Sequence, residues 1–179
     1  MKRLNFLNRF SSLLGITVIA PSILASCSTN EPETEATTTI VSDEEEILTE
    51  EEIQYNLLKE NTAGNGKFLQ GRTLYVDVTH ENYTSLNTVG EFINDPENYI
   101  LILRKSEDLF QTFSNCCPHS GTSNRWSYSQ GNFRCANHGN SYGTNNANTV
   151  RCGSGRTSGN LKQYNTSLNQ DILTIDFDS

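Results

Sequence analysis

The C-terminal two-thirds of the chain predicts an all-β fold, an antiparallel β sandwich or barrel-like body. Three observations carry that prediction. Short segments alternating apolar and polar residues recur through the region, Gly, Asn and Ser turns separate them, and residues 61–179 are enough chain for one domain with its own core.

The N-terminal end reads differently. Lys2, Arg3 and Arg9 form a basic region, and Leu13, Ile19, Ile23 and Leu24 mark an apolar stretch interrupted by Pro21 and Ser22. This is the pattern of a targeting segment, residues 1–26, too short and broken for a persuasive membrane-spanning helix. Its end, Leu24-Ala25-Ser26-Cys27, resembles the lipobox of bacterial lipoproteins, which implies a lipid on Cys27 after cleavage. An uncleaved anchor is the alternative, and both place the protein in the bacterial cell envelope, at a membrane outside the cytoplasm. Asn8-Arg9-Phe10 supplies only one of the two arginines of a twin-arginine export signal, so the route of export stays open.

Residues 27–60 form an acidic tether. Residues 28–42 are Thr, Glu, Ser and Pro with few apolar groups, a composition that reads as an extended linker. Residues 43–60 suit a helix capped by Ser42, with Ile47, Ile53, Leu57 and Leu58 as a partial apolar face; a transient helix within the tether is the equal alternative. The formal charge of −8 moves to −11 when residues 1–26, with three basic and no acidic residues, are removed. Eleven of the 21 acidic residues lie between Glu31 and Glu60, whereas nine basic and ten acidic residues follow from Asn61. The acidity therefore belongs to the tether, and it argues against nucleic-acid binding.

Within the domain, strands are expected at 73–78, 99–104, 109–113, 131–134, 161–165 and 172–177. Residues 105–108 read as a hairpin turn and 167–171 as the final hairpin. Trp126 and Phe133 read as core packing, and His80 as a solvated turn residue.

Cys117-Pro118-His119 and Cys135-Ala136-Asn137-His138 carry the chemistry. Each segment supplies one thiolate and one imidazole, soft sulfur and borderline nitrogen ligands, so the pair predicts a metal site. A two-iron two-sulfur cluster needs two protein ligands on each iron, and the short C-x-H and C-x-x-H steps let each loop touch both. Tetrahedral zinc, as a structural or redox-sensing site, is the alternative, although zinc modules usually pair like ligands.

The chain resembles the Rieske [2Fe-2S] family from about Asn61 onward, most closely from Asn115 to Gly155. The resemblance implies a β base carrying a small cluster-binding subdomain, and a [2Fe-2S] cluster as cofactor. Cys117 and Cys135 would hold the inner iron, and His119 and His138 the outer one. It also implies supporting roles for Gly121, Gly139, Asn140, Tyr142 and Gly153. Tyr142 sits where high-potential members place a tyrosine that hydrogen-bonds a ligand sulfur, and Gly153 with Gly155 resembles a third loop that covers the cluster. Rieske centres span about −150 to +300 mV, against roughly −400 mV for plant-type ferredoxins.

Departures are informative. Respiratory members carry a serine where this chain has Asn140, and a disulfide between the loops where it has Thr122 and Asn137. A potential above the ferredoxin class is expected, short of the highest respiratory range. Cys116 precedes a ligand and Cys152 opens the third loop; they form either a disulfide that replaces the family bridge or two buried thiols. No mononuclear iron motif or nucleotide loop accompanies the site. One-electron transfer follows as the expected function, with a quinol-oxidising complex, a cytochrome or an exported oxidase as redox partner, and the membrane reached through the lipid anchor.

Overall fold

The computed structural model describes residues 48–123 and 125–178. The targeting segment 1–26, Cys27, the linker 28–42 and the Ser42 cap lie outside the described residues.

Helix α1 spans Glu50–Thr62, later than the 43–60 expected from sequence. Thr49 and Glu52 explain where it starts. The Glu52 amide donates to the Thr49 hydroxyl at 3.2 Å while the Thr49 amide donates to the Glu52 carboxylate at 2.7 Å, a reciprocal capping box. The apolar face expected for this helix is not what seats it, because Ile53 and Leu57 are exposed. Polar contacts do so instead: the Tyr55 hydroxyl donates to Asp171 at 2.7 Å, and Lys59 bridges Asp77 at 2.5 Å and Asp171 at 2.8 Å. The helix therefore belongs to the β body, on which it packs against the strands carrying or flanking those carboxylates.

Ten strands follow: β1 Lys67–Gln70, β2 Thr73–Asp77, β3 Phe92–Asp95, β4 Ile100–Arg104, β5 Phe110–Ser114, β6 Trp126–Ser129, β7 Asn132–Cys135, β8 Ser141–Gly143, β9 Gln163–Asn169 and β10 Ile172–Asp176. A 3-10 helix, Glu81–Asn87, lies between β2 and β3. His80 caps it, its Nδ1 accepting the Asn82 amide at 3.2 Å. It is half-buried against Gly66 rather than solvated, so the sequence reading of His80 as a free turn residue is corrected. The last hairpin is also tighter than expected: β9 runs on to Asn169, and Gln170, at φ 54°, makes the turn.

All pairing between these strands is antiparallel. Seven form one curled sheet in the order β1-β2-β10-β9-β5-β4-β3, and β6-β7-β8 form a second, small sheet inserted between β5 and β9. The curl brings the two edges together, because Lys67 on β1 reaches Asp95 on β3 at 2.9 Å. The fold is thus the all-β, barrel-like body expected, with a small subdomain.

Strand β4 shows why the base and subdomain are coupled. Its run Ile100-Leu101-Ile102-Leu103 is fully buried on both faces. Ile100 and Ile102 join Leu74, Val76, Leu173 and Ile175 inside the curled sheet. Leu101 and Leu103 point the other way, joining Phe113, Phe133, Tyr142, Cys117 and Cys135. Full burial of each such side chain is worth about 1.5–3 kcal/mol. The second core is what carries the two cysteines.

Candidate metal centre

Two loops of the same construction present the sulfur and imidazole groups. The first leaves β5 and the second joins β7 to β8. In the first, the Gly121 amide donates to the Cys117 carbonyl at 2.8 Å and the Cys117 amide to the Thr122 carbonyl at 2.7 Å. In the second, the Gly139 amide donates to the Cys135 carbonyl at 2.9 Å and the Cys135 amide to the Asn140 carbonyl at 2.9 Å. Gly121 and Gly139 take φ values of 76° and 75°, which other residues adopt only at a cost. The turn needs a glycine four residues after each cysteine, and the sequence supplies it twice.

A third loop closes over the first. The Gly153 amide donates to the Cys117 carbonyl at 3.1 Å, and the Gly155 amide to the Pro118 carbonyl at 3.1 Å. Gly153 takes φ 63°, a backbone conformation that favours glycine, and its neighbour across the loops is Gly121. Cys116 and Cys152 are joined by a disulfide with their Cα atoms 5.3 Å apart, tying the third loop to the first.

Strand alternation aims the second cysteine. Phe133 and Cys135 face inward on β7 while Asn132 and Arg134 face out. Phe133 is held by Phe92, Phe113 and Tyr128, with ring centroids at 5.2, 5.7 and 4.8 Å. Trp126 packs there too, and its Nε1 donates to the Asn115 carbonyl at 2.7 Å, fixing the start of the first loop. Cys117 and Cys135 are buried and free.

Burial pushes the Cys117 thiol up, but hydrogen bonds from the Ser120 backbone and hydroxyl, from Cys135 and from the His119 backbone outweigh it and hold the thiol below its ordinary value. Tyr142 is fully buried, and burial together with Cys117 pushes its hydroxyl up to about 12, so it stays protonated at neutral pH. That one proton goes to the Arg156 carbonyl at 2.8 Å, while Cys117 Sγ stands 3.9 Å from the same oxygen. A second hydroxyl lies near the other sulfur: Thr122 Oγ1 is 3.6 Å from Cys135 Sγ. Thr122 is 3.0 Å from the Ser120 hydroxyl, which in turn accepts the Asn137 amide at 3.3 Å. The polar link between the loops escapes sequence reading, which notes only that Thr122 and Asn137 are not cysteines.

The imidazoles sit outside the sulfurs. His119 and His138 meet edge to face with ring centroids 4.7 Å apart. His138 is exposed and His119 half-buried. His119 Nδ1 is buried with no hydrogen-bond partner among the described residues, an arrangement that costs about 1–3 kcal/mol unless something binds it. Asn140 contributes its carbonyl to the second turn, and Gly139 lies under Arg134, whose Nε donates to the Gly139 carbonyl at 3.2 Å.

A family model of the Rieske [2Fe-2S] domain matches residues 74–165, which hold both loops, the third loop and the small sheet. The chain belongs to the Rieske family. Comparison with curated proteins finds no match. A Rieske domain carries a [2Fe-2S] cluster and works in electron transfer with redox partners.

The residues here fit that group. Two buried free thiols and an orphaned imidazole nitrogen offer donors of the right softness. Among the described residues no three His, Cys, Asp or Glu side chains gather closely enough to hold a single ion. When bound, the cluster accepts and releases one electron. The protein's part is to bury the sulfur side, leave the imidazole side open, and aim hydroxyl and amide donors at the sulfurs, which favours the more negative reduced state.

Proposed function

We propose that this protein is a one-electron relay in which Cys117 and Cys135 hold the inner iron of the cluster and His119 and His138 the outer one. The carrying observation is the polarity of the site. Both sulfurs are buried while the His138 ring is exposed and touches His119, so the imidazole edge is the route by which an electron enters or leaves. The sequence of residues 1–27 supports attachment to a membrane outside the cytoplasm through a lipid on Cys27. The redox partner is then another protein of that compartment, whether a quinol-oxidising complex, a cytochrome or an exported oxidase.

The test combines metal and sulfide analysis with electron paramagnetic resonance of the reduced protein. Iron with acid-labile sulfide, and a reduced-state spectrum that appears and disappears reversibly in a one-electron titration above about −150 mV, is the expected result. Zinc without acid-labile sulfide, or a centre that cannot be reduced, overturns the reading.

A further inference from the structure

Charge is sharply segregated in this domain. From Leu109 to Gln170 there is no aspartate or glutamate, while Arg125, Arg134, Arg151, Arg156 and Lys162 all fall in that stretch. It contains both cysteine-histidine loops, the third loop and the small sheet. The carboxylates lie elsewhere, in the tether, in α1 and in the base, at Asp77, Asp95 and Asp171 among others.

The five cations are exposed and each is tied to the site. The Arg134 guanidinium is held against Gly139, the residue after His138. The Arg125 carbonyl accepts the Ala136 amide at 2.9 Å, and the Arg156 carbonyl takes the Tyr142 hydroxyl. Arg151 adjoins the bridged Cys152, and with Lys162 it lines a hollow whose wall includes the disulfide. Ion pairs among the described residues use Lys59, Lys67 and Arg72, and none of these five. The stretch that holds the site therefore carries cations and no carboxylate of its own, opposite in sign to the net charge of −8, with the Arg134 guanidinium beside His138. Left without carboxylates, it repels itself and attracts anions.

We propose that this cationic end is the docking surface for an acidic face of a one-electron redox protein, oriented so that one electron passes between the partner's own redox centre and the His138 edge. The inference rests on the relay reading above and adds the chemistry of the partner. Complementary potentials of this kind steer encounter and fix orientation. An anionic lipid surface is the less fitting occupant. The large apolar side chains exposed among the described residues are Leu48, Ile53, Leu57, Leu69, Val89, Tyr99 and Leu109, so none lies on the ligand loops to enter a bilayer.

The sign of the local field can be read by stopped-flow oxidation of the reduced full-length protein. Screening shortens from about 30 Å at 0.01 M salt to about 8 Å at 0.15 M. Across that range oxidation by ferricyanide should slow by about threefold or more, and oxidation by the cationic tris(phenanthroline)cobalt(III) should speed up. An acidic c-type cytochrome should be reduced faster than a basic one at low salt. Arg151→Gln with Arg156→Gln should flatten the ferricyanide dependence, while Arg72→Gln at the base leaves it unchanged. Ferricyanide oxidation that accelerates with salt, as the net charge alone would dictate, overturns the proposal, as does equal reactivity of the two cytochromes. Salt-independent oxidation, with sedimentation on phosphatidylglycerol vesicles that the double substitution abolishes, assigns the surface to lipid instead and also overturns it. A centre that cannot be reduced is a different failure, and it removes the relay reading itself.

Discussion

Thr122 and Asn137 occupy the positions that respiratory Rieske proteins join by a disulfide, and here a chain of hydrogen bonds spans them. The Asn137 amide donates to Ser120, which stands beside Thr122. A Cys135 sulfur that ligates iron, as proposed, can only accept, so in its contact with Thr122 the threonine hydroxyl is the donor. A donor on a ligand sulfur stabilises the reduced state more than the oxidised one. Thr122→Val should therefore lower the midpoint potential, by on the order of 40–50 mV if the bond is worth about 1 kcal/mol more in the reduced state. Ser120→Ala, which removes the hydroxyl donor on Cys117, should shift it the same way. Spectroelectrochemical titration reads both, and an unchanged or raised midpoint for Thr122→Val would defeat the argument. Tyr142 is the weaker donor here, its proton being committed to the Arg156 carbonyl. The cysteine-histidine spacing was legible in sequence because only those residue types give those donor atoms. The hydroxyl chain was not, because Ser and Thr serve turns and surfaces everywhere, and the Arg156 carbonyl leaves no mark in a sequence at all.

At the scale of elements, the two edge strands of the base are joined by a buried ion pair. Asp95 is 5% exposed, and its carboxylate takes Lys67 Nζ at 2.9 Å and the Asn98 side-chain amide at 2.7 Å. Burial raises its pKa, but Lys67 and Asn98 outweigh burial and leave it below the ordinary carboxylate value. A depressed folded-state pKa means that this contribution to stability is complete above the ordinary carboxylate range near pH 4 and is lost as pH falls through the folded-state value. Lys67→Met leaves a buried carboxylate without its cation and should cost about 3 kcal/mol at neutral pH. Chemical denaturation should show that gap between wild type and variant closing as the buffer is taken below the carboxylate range; a gap that widens in acid would contradict the assignment. Elements with a continuous or alternating apolar pattern, β2, β4 and β10, were readable. The strands β1, β3, β6 and β8 were not, since three or four residues seldom display a period; β7, as short, was expected, its Phe133 and Cys135 alternating with Asn132 and Arg134. The helix was misplaced because Thr49 with Glu52 makes a complete capping box downstream of Ser42, and because Lys59 and Tyr55 seat it by polar contacts that no hydrophobic pattern records.

At the scale of the whole molecule the charges form an ordered sequence. Eleven acids crowd residues 31–60, the base carries both signs in ion pairs, and the cluster end carries only cations. Helix α1 packs on the base strands β1, β2 and β10. No described helix is long and apolar enough to cross a membrane; the proposed attachment rests on the sequence of residues 1–27. A lipid on Cys27, joined to diacylglycerol as the lipobox resemblance implies, would suffice, since a single acyl chain binds only marginally whereas two or more anchor stably. Cys27→Ser should then move the protein from the membrane fraction to the soluble fraction and abolish labelling by radioactive palmitate. The reduced-state resonance spectrum should not change, because that residue lies outside the domain that holds the cluster. Retention of Cys27→Ser in the membrane fraction would point to an uncleaved N-terminal anchor instead, and wild-type protein found wholly in the soluble fraction would dismiss attachment of either kind.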